Sequence, residues 1–401
     1  MNIIVSIKQD NKRRFMMKKA FVFVAVAALL LAGSAYAQNE AHCGKCKKSG
    51  ALNLTDAEYM ALADSIHKVA ISFDTHIDTP TYTLHPEGHY TVAKGQVSFE
   101  LMRRGGQDGA FFAIYLDQGP WQNQKSLDSA YNWCHNEIQS WKDYVSRHND
   151  EAEVAYSTDD VYRLKKEGKR IVVLCIENGY PVRTLEDLDE FYKMGVKYIT
   201  LSHNTPNQIC DGSRYPKTYY WYPSTGHGLS PFGYKVVERM QQLGIMVDVS
   251  HISSESLVDV LKVIKAPVLA SHSSCKALKP SQTRNLTDDE IRAIAAVDGV
   301  IQVGTGRFFL SDDLPYYKVG VAVLANHIDH IKNLVGYRHV GLGTDFDGGG
   351  GVVGLDNSSQ MKNLTVELLK RGWTAEELKA FWGGNLLRVW KACEDYAARF
   401  K

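Results

Sequence analysis

Residues 71–78 read ISFDTHID, a mostly apolar run that ends in His76 and Asp78, two positions apart. Side chains two apart on a strand share a face, so an imidazole and a carboxylate would leave the end of one strand together. That pairing suits a first-row divalent metal such as zinc. A satisfied buried histidine beside a turn-forming aspartate explains it equally well, so the weight rests on recurrence. Glu177 closes the run 171–177, His203 closes 197–203, His251 closes 245–251, His272 closes 267–272 and Asp345 closes 340–345. Turn or cap chemistry accounts for any one of these residues. It does not account for all of them standing at the ends of strand-like runs.

Charge and geometry suggest roles. Two dications need about four to six protein ligands and a shared bridge. His76 and Asp78 supply one ion, His251 and His272 the other, and Glu177 reaches both with one oxygen each. Two such ions, two carboxylates and a bridging hydroxide leave a formal charge of about +1, which favours an anionic or carbonyl-bearing substrate. The water bridging the ions would be the nucleophile, and Asp345, not needed as a ligand, would take its proton and pass it to a leaving amine. His203 would donate to the developing oxyanion. Arg284, in QTRNLTD, is a candidate clamp for a substrate carboxylate; a surface arginine is the alternative. The serines around His272 lack the G-x-S-x-G frame of a serine nucleophile.

The elements that position these residues alternate. Strand-like runs at 71–78, 110–116, 171–177, 197–203, 245–251, 267–272, 300–303 and 340–345 are continuous apolar stretches, as expected of parallel strands covered on both faces. Helical patterns lie between them at 126–148, 184–194, 231–243, 253–264, 287–297 and 319–335. Thr55, Thr287 and Thr374, each three residues before a glutamate, mark capping boxes. Eight alternating strands predict a (β/α)8 TIM barrel, whose strand ends converge on one mouth. A doubly wound open sheet is the alternative, but no glycine-rich phosphate loop opens any helix. The glycines at 348–351 form a loop beyond the last strand that either admits close backbone approach or simply turns.

With 401 residues, 44% of them apolar, the chain can bury a large core. Its 46 basic and 45 acidic residues give a formal charge of +1, so nothing points to nucleic acid and a small-molecule substrate is the expectation. Lys18 and Lys19 precede the apolar run 20–32, and Ala35 and Ala37 follow in an A-x-A arrangement. This pattern predicts a cleavable signal peptide over residues 1–37, with Met1, Met16 or Met17 as the start, and export to a periplasmic or extracellular space; a retained anchor is the alternative. A polar tail at 38–52 and one catalytic domain over 53–401 complete the expected organisation. The seven cysteines include one close pair, Cys43 and Cys46, in that tail, read as a local disulfide or as solvated thiols.

Taken together, DTHID, IENG, LSHN, the stretch GLSPFGYKVVERMQQLGIMVDVSHIS at 228–253, SHSS, RN and GLGTDFDG resemble the membrane (renal) dipeptidase family, zinc-dependent dipeptidases of the amidohydrolase-like barrels. The resemblance runs from about Ile71 to Ala397. It implies two Zn2+ per chain, with His76 and Asp78 on one ion, His251 and His272 on the other and Glu177 between them. It also assigns His203 and Arg284 to substrate and Asp345 to proton transfer. A dipeptide substrate, tolerance of a D-residue at its C-terminal position, opening of some β-lactams and a homodimer are further expectations by resemblance. The glycolipid-anchor signal of many animal members is not found, which implies a soluble exported enzyme without a membrane span. Tyr180, after IENG, replaces a histidine of some relatives and is expected at the rim; the divergent loop 304–317 is expected to touch substrate side chains.

Overall fold

The computed structural model describes residues 54–79, 95–116, 123–213 and 228–400. The expected signal segment, the polar tail and the Cys43–Cys46 pair lie outside the described residues. Among those described, nine strands form one parallel sheet: β1 (Phe73–Ile77), β2 (Gly109–Tyr115), β3 (Ala152–Val154), β4 (Arg170–Glu177), β5 (Val196–Thr200), β6 (Met246–Asp248), β7 (Leu269–Ala270), β8 (Val300–Val303) and β9 (Val340–Leu342). The path β1-β2-β4-β5-β6-β7-β8-β9 is an eight-strand barrel. It closes at the C-terminal end, where Asp78 N–H donates to Phe346 O at 2.8 Å and Asp345 N–H to His76 O at 2.9 Å.

All eight expected runs contain strands, but most stop short of the functional residue. β5 ends three residues before His203, β6 three before His251 and β9 three before Asp345. The backbone explains this, because His251 and Asp345 have φ of 67° and 61°, left-handed values that no ladder accommodates. The unexpected strand is β3. It pairs with the first residues of β4, from Ala152 beside Arg170 to Val154 beside Val172, while β5 takes the later ones. Three residues are too few to show a period.

Alternation along each strand divides the core. Ala110, Phe112 and Ile114 of β2 and Val172, Leu174 and Ile176 of β4 pack with the surrounding helices. Phe111, Ala113, Ile171, Val173 and Cys175 instead meet in a second apolar cluster. The C-terminal helix Asn385–Ala397 seals that cluster with Leu386, Val389 and Trp390, Trp390 lying edge-on to Phe111 at 5.6 Å. Tyr115 and Glu177 continue the rows of Phe111 and Ile171 by steps of two, so they stand on an apolar floor. The three expected capping boxes are present at Thr55, Thr287 and Thr374; such a cap contributes roughly 0.5–2 kcal/mol.

Candidate metal centre

Glu177 ends β4 and is 3% exposed. Its Oε2 lies 3.3 Å from His76 Nε2, while Oε1 lies 3.0 Å from His251 Nε2 and 3.5 Å from His272 Nε2. Each oxygen therefore faces a different group of imidazoles. Asp78 Oδ2 stands 3.5 Å from His76 Nε2. The expected ligand sets are the ones that meet: His76, Asp78 and Glu177 form one cluster and Glu177, His251 and His272 another, donor atoms within 4.8 Å of one another. His76, His272 and Asp345 form a third such group.

Tautomers follow from what holds the far nitrogen of each ring. Tyr198 O–H donates to Thr75 O at 3.0 Å, so its oxygen must accept from His76 Nδ1–H at 2.6 Å. Ser271 O–H donates to Asp248 Oδ2 at 2.6 Å and accepts from His272 Nδ1–H at 2.8 Å. Asn204 Oδ1 accepts from His251 Nδ1–H at 2.9 Å. Three Nε2 lone pairs therefore converge, the arrangement a metal requires of histidine. Two consequences would be unfavourable without a cation. His251 Nε2 and His272 Nε2 approach to 2.6 Å with no proton between them, and His76 Nε2, wholly buried, has no hydrogen-bond partner.

Electrostatics agree. Burial would depress the pKa of His76, but the carboxylates of Glu177 and Asp78 outweigh it and raise it well above 6.5. The point between them demands positive charge. His251 and His272 are pushed well below 6.5, first by burial and then by Arg284 and His76 respectively, which keeps their lone pairs available. Burial also works against ionised Glu177, yet the imidazoles around it hold its carboxyl well below the usual range. Asp345 goes the other way, raised by burial and by Asp78. The donor set fits two dications sharing one carboxylate.

The cluster opens into a cavity of about 810 Å³ that also takes in His203, Arg284 and Asp345. His203 Nε2 lies 3.9 Å from Glu177 Oε1, with its ring edge-on to Tyr115. Arg284 is 6% exposed rather than a surface arginine; its guanidinium donates to Ser273 Oγ and His272 O, both at 2.8 Å, which hold it at the cavity wall. Gly304, Gly306 and Phe309 of the loop 304–317 line the same space. Tyr180 is not a rim residue: it is 2% exposed and its hydroxyl meets Ser126 Oγ at 2.6 Å, because the chain turns inward after Asn178 to pack beneath the helix Gln124–Arg147. Gly348 proves to need its missing side chain, since a Cβ there would run into the carboxylates of Asp78 and Asp345.

Sequence reasoning missed the residues that orient the ligands: Tyr198, Asn204, Ser271 and Asp248. Two stand directly beside a predicted ligand or substrate residue, in LSHN and ASHSS, and a tyrosine inside a buried strand must find a partner for its hydroxyl. Tyr198→Phe should leave the fold intact and weaken metal binding by roughly 10–100-fold. Competition with a chelator measures this, and an affinity within twofold of wild type would show that Tyr198 does not set the His76 tautomer.

A (β/α)8 barrel with a metal-ligand cluster at its C-terminal mouth defines the class. The model of the membrane dipeptidase family, peptidase family M19, matches residues 60–401, and the chain belongs to that family. It is 30% identical to the dipeptidase tcpJ of Claviceps purpurea over 347 residues, covering 84% of this chain and 77% of that protein. It is 31% identical to an uncharacterized dipeptidase, C965.12, of Schizosaccharomyces pombe over 355 residues, covering 82% of each. Among solved structures, the probable dipeptidase PvdM from Pseudomonas aeruginosa superposes with a TM-score of 0.79 at 29% identity, covering 85% of this chain and 100% of that one. A metallo peptidase from Rhodobacter sphaeroides, liganded with a phosphinate mimic of L-Ala-D-Ala, shares the fold with a TM-score of 0.71 at 23% identity, covering 81% and 99%.

Proposed function

We propose that the protein is a binuclear zinc dipeptidase, with His76 and Asp78 on one ion, His251 and His272 on the other and Glu177 shared. The observation that carries this reading is the split of the Glu177 oxygens between two imidazole groups inside a cavity that also holds a buried arginine. When bound, the ion pair supplies Lewis acidity and an acidified water as nucleophile. Arg284 holds the free C-terminal carboxylate of the substrate. Asp345 takes the proton of the attacking water on its carboxylate and delivers it to the leaving amine, as general base and then general acid. His203 donates to the oxygen of the scissile carbonyl as its charge grows.

A D-residue at the second position, like that in the mimic held by the Rhodobacter protein, belongs to this proposal. So does export: no described helix is long and apolar enough to cross a membrane, and the segment before residue 38 has the composition of a signal peptide. The test compares dipeptides with their C-terminally amidated forms on zinc-loaded protein. Amidation should lower kcat/KM by about 100-fold or more, the size expected when a buried charge loses its partner. Equal turnover of the two forms would remove the Arg284 clamp and favour a different amide hydrolase.

A further inference from the structure

The cavity has a direction that the reaction does not use. Arg284 follows β7, the sixth strand of the eight-strand path, whereas Tyr115 ends β2, the second, and the helix Gln124–Arg147 follows it. Four steps around an eight-strand ring is the opposite side. That side of the wall carries Tyr115, Trp133 and Glu137. Trp133 and Glu137 are four apart on one helix and so share a face, and Trp133 keeps 44% of its surface exposed. A substrate fixed at Arg284 by its carboxylate, with its amide over the Glu177 cluster, must direct its first residue across the mouth toward this wall. At about 810 Å³ the cavity has more room than two small residues fill, lying in the upper part of the ~300–1,000 Å³ range of small-molecule sites.

Resting on the dipeptidase reading, we propose that Tyr115, Trp133 and Glu137 form the subsite for the side chain of the substrate's first residue, and that they select a long cationic one. The chemistry of lysine and arginine matches this wall in two parts. The aliphatic stem lies along aromatic surface, with the cation drawn to the indole face, and the charged head reaches the carboxylate beyond. An acidic side chain meets Glu137 as a like charge, while a neutral one of equal length gains only the apolar part. The wall thus discriminates by sign as well as by length.

The test uses zinc-loaded full-length protein and three substrates, Lys-Ala, norleucyl-Ala and Glu-Ala. Wild type should prefer Lys-Ala to Glu-Ala by roughly tenfold or more in kcat/KM. Glu137→Gln should lower kcat/KM for Lys-Ala about tenfold and leave norleucyl-Ala within about twofold, and Glu137→Lys should reverse the preference toward Glu-Ala. Trp133→Ala should lower Lys-Ala and norleucyl-Ala together, because both lose cover for the stem. If the two Glu137 variants change all three substrates by a common factor, the subsite is wrong while the dipeptidase reading stands. If wild type cleaves no dipeptide of the set, that reading fails and takes the subsite with it.

Discussion

In the proposed two-ion centre, Glu177→Gln is expected to lower the metal content to one ion or none and to reduce dipeptide turnover by about 10³-fold or more. The argument is geometric before it is electrostatic. Both carboxylate oxygens of Glu177 are engaged, one toward His76 and one toward His251 and His272. Glutamine keeps one acceptor and turns the other into an N–H donor, so one of the two imidazole groups loses its shared partner. The residue is also buried on an apolar floor, where a missing negative charge is felt more strongly than at the surface. Folding should survive, because glutamine matches glutamate in size and its amide N–H can donate to the Nε2 lone pairs of the imidazoles that face it. Elemental analysis beside turnover decides the matter: two retained ions with more than a tenth of wild-type activity would dissolve the shared-carboxylate centre.

That cluster could be anticipated because a barrel converts strand ends into a common location. His76, Asp78, Glu177, His203, His251, His272 and Asp345 span some 270 positions, and only the alternation of apolar runs with helical patterns says they meet. The longest apolar runs, those around β2 and β4, were legible from their composition. β6 and β7, with three and two residues, were legible through the runs containing them, but not their boundaries. The exits from those strands were not readable. His251 and Asp345 take left-handed φ values because the loops must turn sharply at the mouth, a conformation uncommon outside glycine even though histidine and aspartate adopt it more readily than most residues. Strain of this kind is sustained by tertiary bonds such as Asp345 N–H to His76 O, and those join residues far apart in sequence. The same holds for Tyr198, Asn204 and Ser271, whose hydroxyl or amide chemistry is ordinary until the fold sets each beside an imidazole. Arg284 shows the opposite case: guanidinium chemistry offered a substrate clamp and a surface arginine alike, the resemblance of its RN motif favoured the clamp, and the structure has it buried at the cavity wall.

Asp345→Asn is expected to retain the metal content of wild type and to lower kcat by about 10²–10⁴-fold with little change in KM, the signature of a lost proton carrier. Asparagine tolerates the left-handed backbone and matches the carboxylate in shape, so the turn should hold, with Gly348 N–H and Gly350 N–H still donating to the carbonyl of residue 345 at 3.2 and 2.6 Å. What changes is the capacity to accept a proton and release it. The structure makes this a sharp test, because Asp345 is also within ligand distance of His76 and His272. A ligand and a proton carrier fail differently. Loss of metal in Asp345→Asn, with activity restored at high zinc, would make Asp345 a ligand and require the proton to leave by another group, a role open to His203, whose Nε2 lies 3.9 Å from Glu177 Oε1. Retention of the wild-type metal content with kcat reduced across all dipeptides would fix the proton path on the loop that follows the last strand of the barrel, which is anchored to β1 by Thr344 N–H and O–H bonds to Asp74 of 2.8 and 2.5 Å.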